Sequence, residues 1–167
     1  MPVTTELVPV TLAVVDALLV GDAEFSARYG MAIAPGYLDF PGALSITRDA
    51  LLAGTPPQWS SHLFVHRETL TVVGFGGDKG PPVSGEVEIG YSVAPDHQRR
   101  GHATSAVAQL VAAANARGVA VVSAMTLPEE SPSTRILRRA GFAMTATTLD
   151  PELGEVWQWE LPLRARP

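Results

Sequence analysis

Along residues 83–93 apolar and polar positions alternate. Val83, Val87, Ile89, Tyr91 and Val93 take one face, and Ser84, Glu86, Glu88, Gly90 and Ser92 take the other, which is the two-residue period of a half-buried strand. The spacing then changes. From Ala103 the apolar residues Ala103, Ala106, Val107, Leu110, Val111 and Ala114 recur every three or four positions, as on one face of a helix. Gly118 supplies the glycine that commonly follows a helix C-terminus. The chain therefore reads strand, tight turn and helix across 83–118.

The same patterning organises the rest. A strand over 6–10 precedes helices over 11–20 and 22–29, and a Pro- and Gly-rich stretch over 34–42 interrupts regular structure before a helix over 44–53. From Trp59 the pattern turns to β. Runs over 60–66, 70–76 and 83–93, joined by short turns such as 78–82, predict an antiparallel meander. A strand over 119–125, a helical run from Ser133 closing on Gly141-Phe142, and a last hairpin with strands over 142–148 and 156–161 complete the chain. The sum is an α/β fold with a mixed, largely antiparallel sheet and a helical crossover after the turn.

Length and composition narrow the class. With 167 residues, 46% hydrophobic and 17% charged, the chain suits one soluble domain, here taken as 1–167. No apolar run has the length of a membrane span. The apolar stretch 11–20 contains Asp16 and lacks a basic leader, so it reads as a helix rather than a signal peptide, and a cytoplasmic protein is expected. A net charge of −5 argues against a nucleic-acid partner. The absence of cysteine removes disulfides, thiolate metal ligands and any mechanism that parks an acyl group on sulfur. His62, His66, His97 and His102 do not form a helical metal pair, so no metal site is expected.

The turn itself carries chemistry. In Gln98-Arg99-Arg100-Gly101-His102-Ala103, the small residues Gly101 and Ala103 let an anion approach the backbone. The unpaired N–H groups of the helix's first turn, through Thr104, and the helix dipole then favour it, and Arg99 and Arg100 add fixed positive charge. A Walker loop needs Gly-Lys-Ser/Thr, but the chain's one lysine is Lys79. A Rossmann fingerprint needs an acidic residue closing the second strand, and 119–125 has none.

Gln98, Gly101 and Ala103 match (Gln/Arg)-x-x-Gly-x-(Gly/Ala), and with the Ile-Gly-Tyr-Ser-Val-Ala-Pro strand before them and the Ser133 to Phe142 run after them the chain resembles the GCN5-related N-acetyltransferase (GNAT) family. Within that family it is most similar to the ribosomal-protein N-terminal acetyltransferase-like branch. The resemblance is dense from about Gly74 to Phe142. It implies a twisted sheet of about six or seven strands flanked by helices and splayed at an acetyl-CoA site. It also implies an acetyl-CoA-dependent N-acetyltransferase that acts on a primary amine, either a protein N-terminus or a small molecule, without a covalent enzyme intermediate.

By the same resemblance, Gln98, Arg99, Arg100, Gly101, His102, Ala103 and Thr104 would hold the pyrophosphate. The strand end at Ser92 and Val93 would pair with pantetheine as an added strand, with a backbone N–H near Val93 facing the thioester oxygen and a bulge at Gly90 opening the edge. Ser131 and Arg135 would lie on the cofactor side of the second helix. Glu88 is the first candidate for the base and Glu86 the second, the plainer alternative being strand-surface glutamates paired with cations. The tyrosine that serves as acid in many relatives is replaced here by Leu137, and Ser133 is the hydroxyl left to meet the departing sulfur. Tyr37, Phe40 and Trp59 either line the acceptor wall or pack against the sheet. The alternative function is a non-catalytic acyl-CoA-binding sensor on the same fold. Monomer and homodimer both remain open.

Overall fold

The computed structural model describes residues 4–38 and 40–163, so position 39 of the Pro- and Gly-rich stretch lies outside the described residues. In chain order the elements are β1 (Thr5–Pro9), α1 (Leu12–Val20), α2 (Asp22–Tyr29), β2 (Ala32–Ile33), α3 (Ala43–Leu52), β3 (Ser61–His66), β4 (Thr71–Asp78), β5 (Glu86–Val93), α4 (His102–Ala116), β6 (Val121–Thr126), α5 (Pro132–Arg139), β7 (Ala143–Asp150) and β8 (Gly154–Pro162). The sheet runs in the order β1-β3-β4-β5-β6-β8-β7, with β2 added beside β4. Only β5–β6 and β2–β4 pair in parallel among the described residues.

Helices cover the two ends of the sheet from opposite sides. Leu63, Val65, Val72 and Phe75 bury against Val15, Leu18, Phe25 and Leu44 from the first three helices. On the other side, Val87, Ile89, Val122 and Trp159 pack with Val107, Leu110 and Leu137 from α4 and α5. The apolar stripe read from the Ala-rich segment thus faces the core, and α4 forms the crossover between the two parallel central strands. No helix among the described residues is long and apolar enough to cross a membrane.

Several expectations shift locally. The strand expected from residue 83 begins at Glu86 because Ser84 and Gly85 take positive φ values of 51° and 78°, bending the chain into a turn closed by Val83 and Glu86. Val83 is consequently 76% exposed and does not share the buried face of Val87 and Ile89. The two-residue β2 is too short for any periodicity to announce it.

Candidate active site

At the centre of the sheet two strands separate. β5 pairs with β4 in unbroken register from Gly74↔Val93 to Asp78↔Ile89, but its parallel pairing with β6 runs only from Glu86↔Val121 to Ile89↔Ala124. Beyond that point Met125 and Thr126 pair with β8 alone. The gap therefore starts at Gly90. It does not arise from a bulge there, since the β4 register passes through Gly90 without a shift.

Glycines in β4 explain how β5 follows β4 so closely. A Cβ at Gly76 would stand 2.3 Å from the Gly90 carbonyl oxygen, and one at Gly74 would stand 2.4 Å from that of Ser92. Both are backbone atoms that cannot step aside. Because Ala94 N donates to Val73 O at 2.7 Å, the antiparallel alternation turns the N–H groups of Tyr91 and Val93 away from β4 and into the gap. The Val93 carbonyl oxygen accepts a bond from Gln98 Nε2 at 3.1 Å. Among the described residues the two N–H groups have no partner and form a free strand edge.

This edge leads directly to the anion-binding turn. Arg99 and Gly101 adopt φ values of 61° and 90°, a reversal that Gly101 accommodates without steric cost. The first backbone bond of α4 runs from Ser105 N to Gly101 O at 2.9 Å, so the N–H groups of His102, Ala103 and Thr104 are not used within the helix. Arg99 and Arg100 are exposed. The His102 ring points inward, where Nδ1 meets Thr5 Oγ1 at 2.8 Å. It therefore offers the turn its backbone rather than its imidazole. Burial, with His66, His97 and Arg100 nearby, holds its pKa below the usual histidine value.

On the face of β5 away from α4, Glu88 meets Lys79 Nζ at 2.6 Å and is 23% exposed. Glu86 lies at the start of the strand, roughly 13 Å from Gly90 at about 3.3 Å per residue. Glu88 is thus the nearer carboxylate to the gap. On the α4 face the Tyr91 hydroxyl donates to the Ser133 carbonyl oxygen at 3.3 Å, and burial pushes its pKa up to about 12. Its ring lies on the apolar face of β5 while its hydroxyl reaches α5. Leu137, which stands where many members of the resembled family carry a tyrosine, is fully buried core.

The rest of α5 divides between capping and surface roles. Ser131 caps the helix, its Oγ accepting from Thr134 N at 3.3 Å while Thr134 Oγ1 accepts from Ser131 N at 3.0 Å, so its hydroxyl serves the helix terminus. Arg138 pairs with Glu130 at 2.6 Å, whereas Arg135 is exposed. Ser92 Oγ donates to Tyr37 O at 2.9 Å, tying the irregular N-terminal segment to β5. Tyr37 is 6% exposed and packs edge-on against Phe75, which makes it a packing residue. Phe40 is 50% exposed, and Trp59 lies under Arg117 just past the C-terminus of α4. Among the described residues no group of three or more His, Cys, Asp or Glu side chains is placed to hold a metal ion.

Comparison with known proteins gives a consistent picture. The family described as acetyltransferase (GNAT) domain matches residues 6–143. The fold is similar to that of the ribosomal-protein-S18-alanine N-acetyltransferase from Escherichia coli, with 13% identity and a TM-score of 0.66 over 98% of this chain and 97% of that one. It is also similar to a putative ribosomal-protein-serine acetyltransferase from Vibrio cholerae, at 17% identity and a TM-score of 0.69 over 96% of each chain. A third solved structure, the ribosomal L7/L12 alpha-N-protein acetyltransferase RimL in complex with coenzyme A, shares 16% identity and gives a TM-score of 0.68 over 96% of this chain and 94% of that one. No curated protein sequence matches the chain.

Proposed function

The chain belongs to the acetyltransferase (GNAT) family, and from that premise we propose that it transfers an acetyl group from acetyl-CoA directly to a primary amine. The observation that carries this reading is one continuous track: the free N–H edge of Tyr91 and Val93 beside the gap, running into the open N–H groups at Gly101 to Thr104. A pantetheine arm is a chain of amides that such an edge can pair as an added strand. A pyrophosphate is the anion that the turn, the helix dipole and the two arginines would hold. Coenzyme A in the complex of the similar RimL supports the same ligand chemistry.

Bound there, acetyl-CoA supplies an acetyl group activated as a thioester. The chain supplies the rest. The Tyr91 and Val93 N–H groups face the gap and would polarise a carbonyl oxygen held there. Glu88 takes the proton of an incoming ammonium, directly or through water. The Tyr91 hydroxyl, with Ser133 beside it, gives a proton to the departing sulfur. With no cysteine in the sequence, direct transfer is the simplest route. The acceptor is a small-molecule amine or a protein N-terminus. The similarity to proteins named for acetylating ribosomal proteins favours the N-terminus.

The test is to incubate the protein with acetyl-CoA and a panel of amines and of peptides with free N-termini, following thiol release and product mass together. Saturable thiol release matched by acetylated product is expected. Saturable acetyl-CoA binding with no transfer to any amine would overturn the catalytic reading.

A further inference from the structure

We propose that Lys79 occupies the place of the acceptor ammonium and is itself an acetyl acceptor, so that the protein modifies its own single lysine. This rests on the acetyl-transfer reading above.

Lys79 follows β4, and its backbone N–H donates to Glu88 O at 2.8 Å, so it continues the β4–β5 ladder past the strand end. From there its side chain lies along the β5 face that carries Glu88 and Gly90. Its Cε would stand 3.3 Å from a Cβ at Gly90, and its Nζ ends 2.6 Å from Glu88 Oε2. Gly90 is the residue at which β6 leaves β5. The only alkylammonium side chain in the sequence thus lies against Gly90, where the gap begins, and is held by the carboxylate nearer to that gap. With 55% of its side chain exposed, Lys79 keeps the freedom to swing from Glu88 toward the gap.

The step balances as follows. The Lys79 Nζ–carbon bond forms as the thioester C–S bond breaks. Of the two protons the ammonium loses, one ends on sulfur and the other leaves through Glu88 to water. The products are Nε-acetyl-Lys79 and the free thiol of CoA. Acetylation removes the charge that Glu88 holds, and Glu88 is then released for external amines.

The folded protein is incubated with acetyl-CoA alone at several protein concentrations and followed by intact mass and peptide mapping. Expected is one acetyl group on Lys79, at a rate that saturates with acetyl-CoA, is independent of protein concentration, and exceeds that of the denatured chain and of Gly101→Val by at least about tenfold. A second readout needs no donor: Lys79→Met is expected to bind butylammonium several-fold more tightly than the unaltered protein. Equal labelling of the denatured chain would mean ordinary chemical acetylation and would overturn the proposal. So would an unlabelled Lys79 in a protein that binds acetyl-CoA and acetylates an added amine, and that outcome would leave the acetyl-transfer reading standing. Equal butylammonium affinity would overturn the placement of Lys79. Absence of any saturable acetyl-CoA binding would remove both readings together.

Discussion

The Tyr91 hydroxyl donates to the Ser133 carbonyl oxygen at 3.3 Å, linking the strand with the free edge to the first turn of α5. Burial raises its pKa to about 12, so it stays protonated across the working range and meets a departing sulfur as a hydrogen-bond donor. Tyr91→Phe is expected to lower turnover about 10- to 100-fold, the low end for general acids because a thiolate leaves readily. Acetyl-CoA affinity should stay within about twofold. Steady-state kinetics with calorimetry checks this, and unchanged turnover would return the role to the Ser133 hydroxyl.

Glu88 and Glu86 share a face but not a distance from the gap. Glu88→Gln is expected to lower turnover roughly 100-fold or more with little change in acetyl-CoA affinity. Glu86→Gln, about four residues from Gly90, should have a small effect by comparison. A ranking with the two reversed in the same kinetic assay would move the base to Glu86.

Asp78 is 7% exposed, and its Oδ1 has no hydrogen-bond partner among the described residues. Burial raises its pKa from 3.8 to about 6, against the pull of Arg117. The folded state therefore holds this proton more tightly than the unfolded chain, and the carboxyl costs stability progressively as pH rises from about 4 to about 6. Asp78→Asn should stabilise the protein by about 1–3 kcal/mol above pH 6 and by almost nothing near pH 4. His62 and His102 act in the opposite sense. Burial lowers both values, so their contribution is lost as pH falls below the unfolded histidine value of about 6.5. Denaturant unfolding of both proteins between pH 4 and 8 separates the effects, and equal stability at pH 7.5 would contradict the assignment to Asp78.

Gly76 lets β5 lie against β4 where a Cβ would come within 2.3 Å of Gly90 O. Gly76→Ala must displace β5 and is expected to cost about 1–3 kcal/mol while weakening acetyl-CoA binding through the disturbed edge. Amide exchange of Tyr91 and Val93, with unfolding curves, would detect the shift. Unchanged values in both would show that the strand does not depend on this close approach.

The turn and its flanking elements were legible in the sequence because each follows a local rule: the alternation of Val87, Ile89 and Tyr91, the helical stripe from Ala106 to Ala114, and a small residue at Gly101. What could not be read depends on register. The family resemblance places the opening at Gly90 but as a bulge, whereas the gap exists because β6 stops pairing with β5 after Ala124, and nothing within β5 itself records that partner's departure. Lys79 reads from sequence as part of a Pro- and Gly-rich turn, since its contact with Glu88 is made across a hairpin. Periodicity places Tyr91 on the apolar face but does not say what its hydroxyl reaches. Ser84 and Gly85 shortened β5 because turn geometry at their positive φ values overrode the alternation that had included Val83.

The most direct test is calorimetric titration of the unaltered protein and of Gly101→Val with acetyl-CoA, using NAD as a control and thermal unfolding to confirm that both are folded. Saturable binding by the unaltered protein, lost in folded Gly101→Val and absent with NAD, is the predicted result. Equal acetyl-CoA affinity in the two proteins would contradict the assignment of the Gln98 to Thr104 turn as the pyrophosphate site.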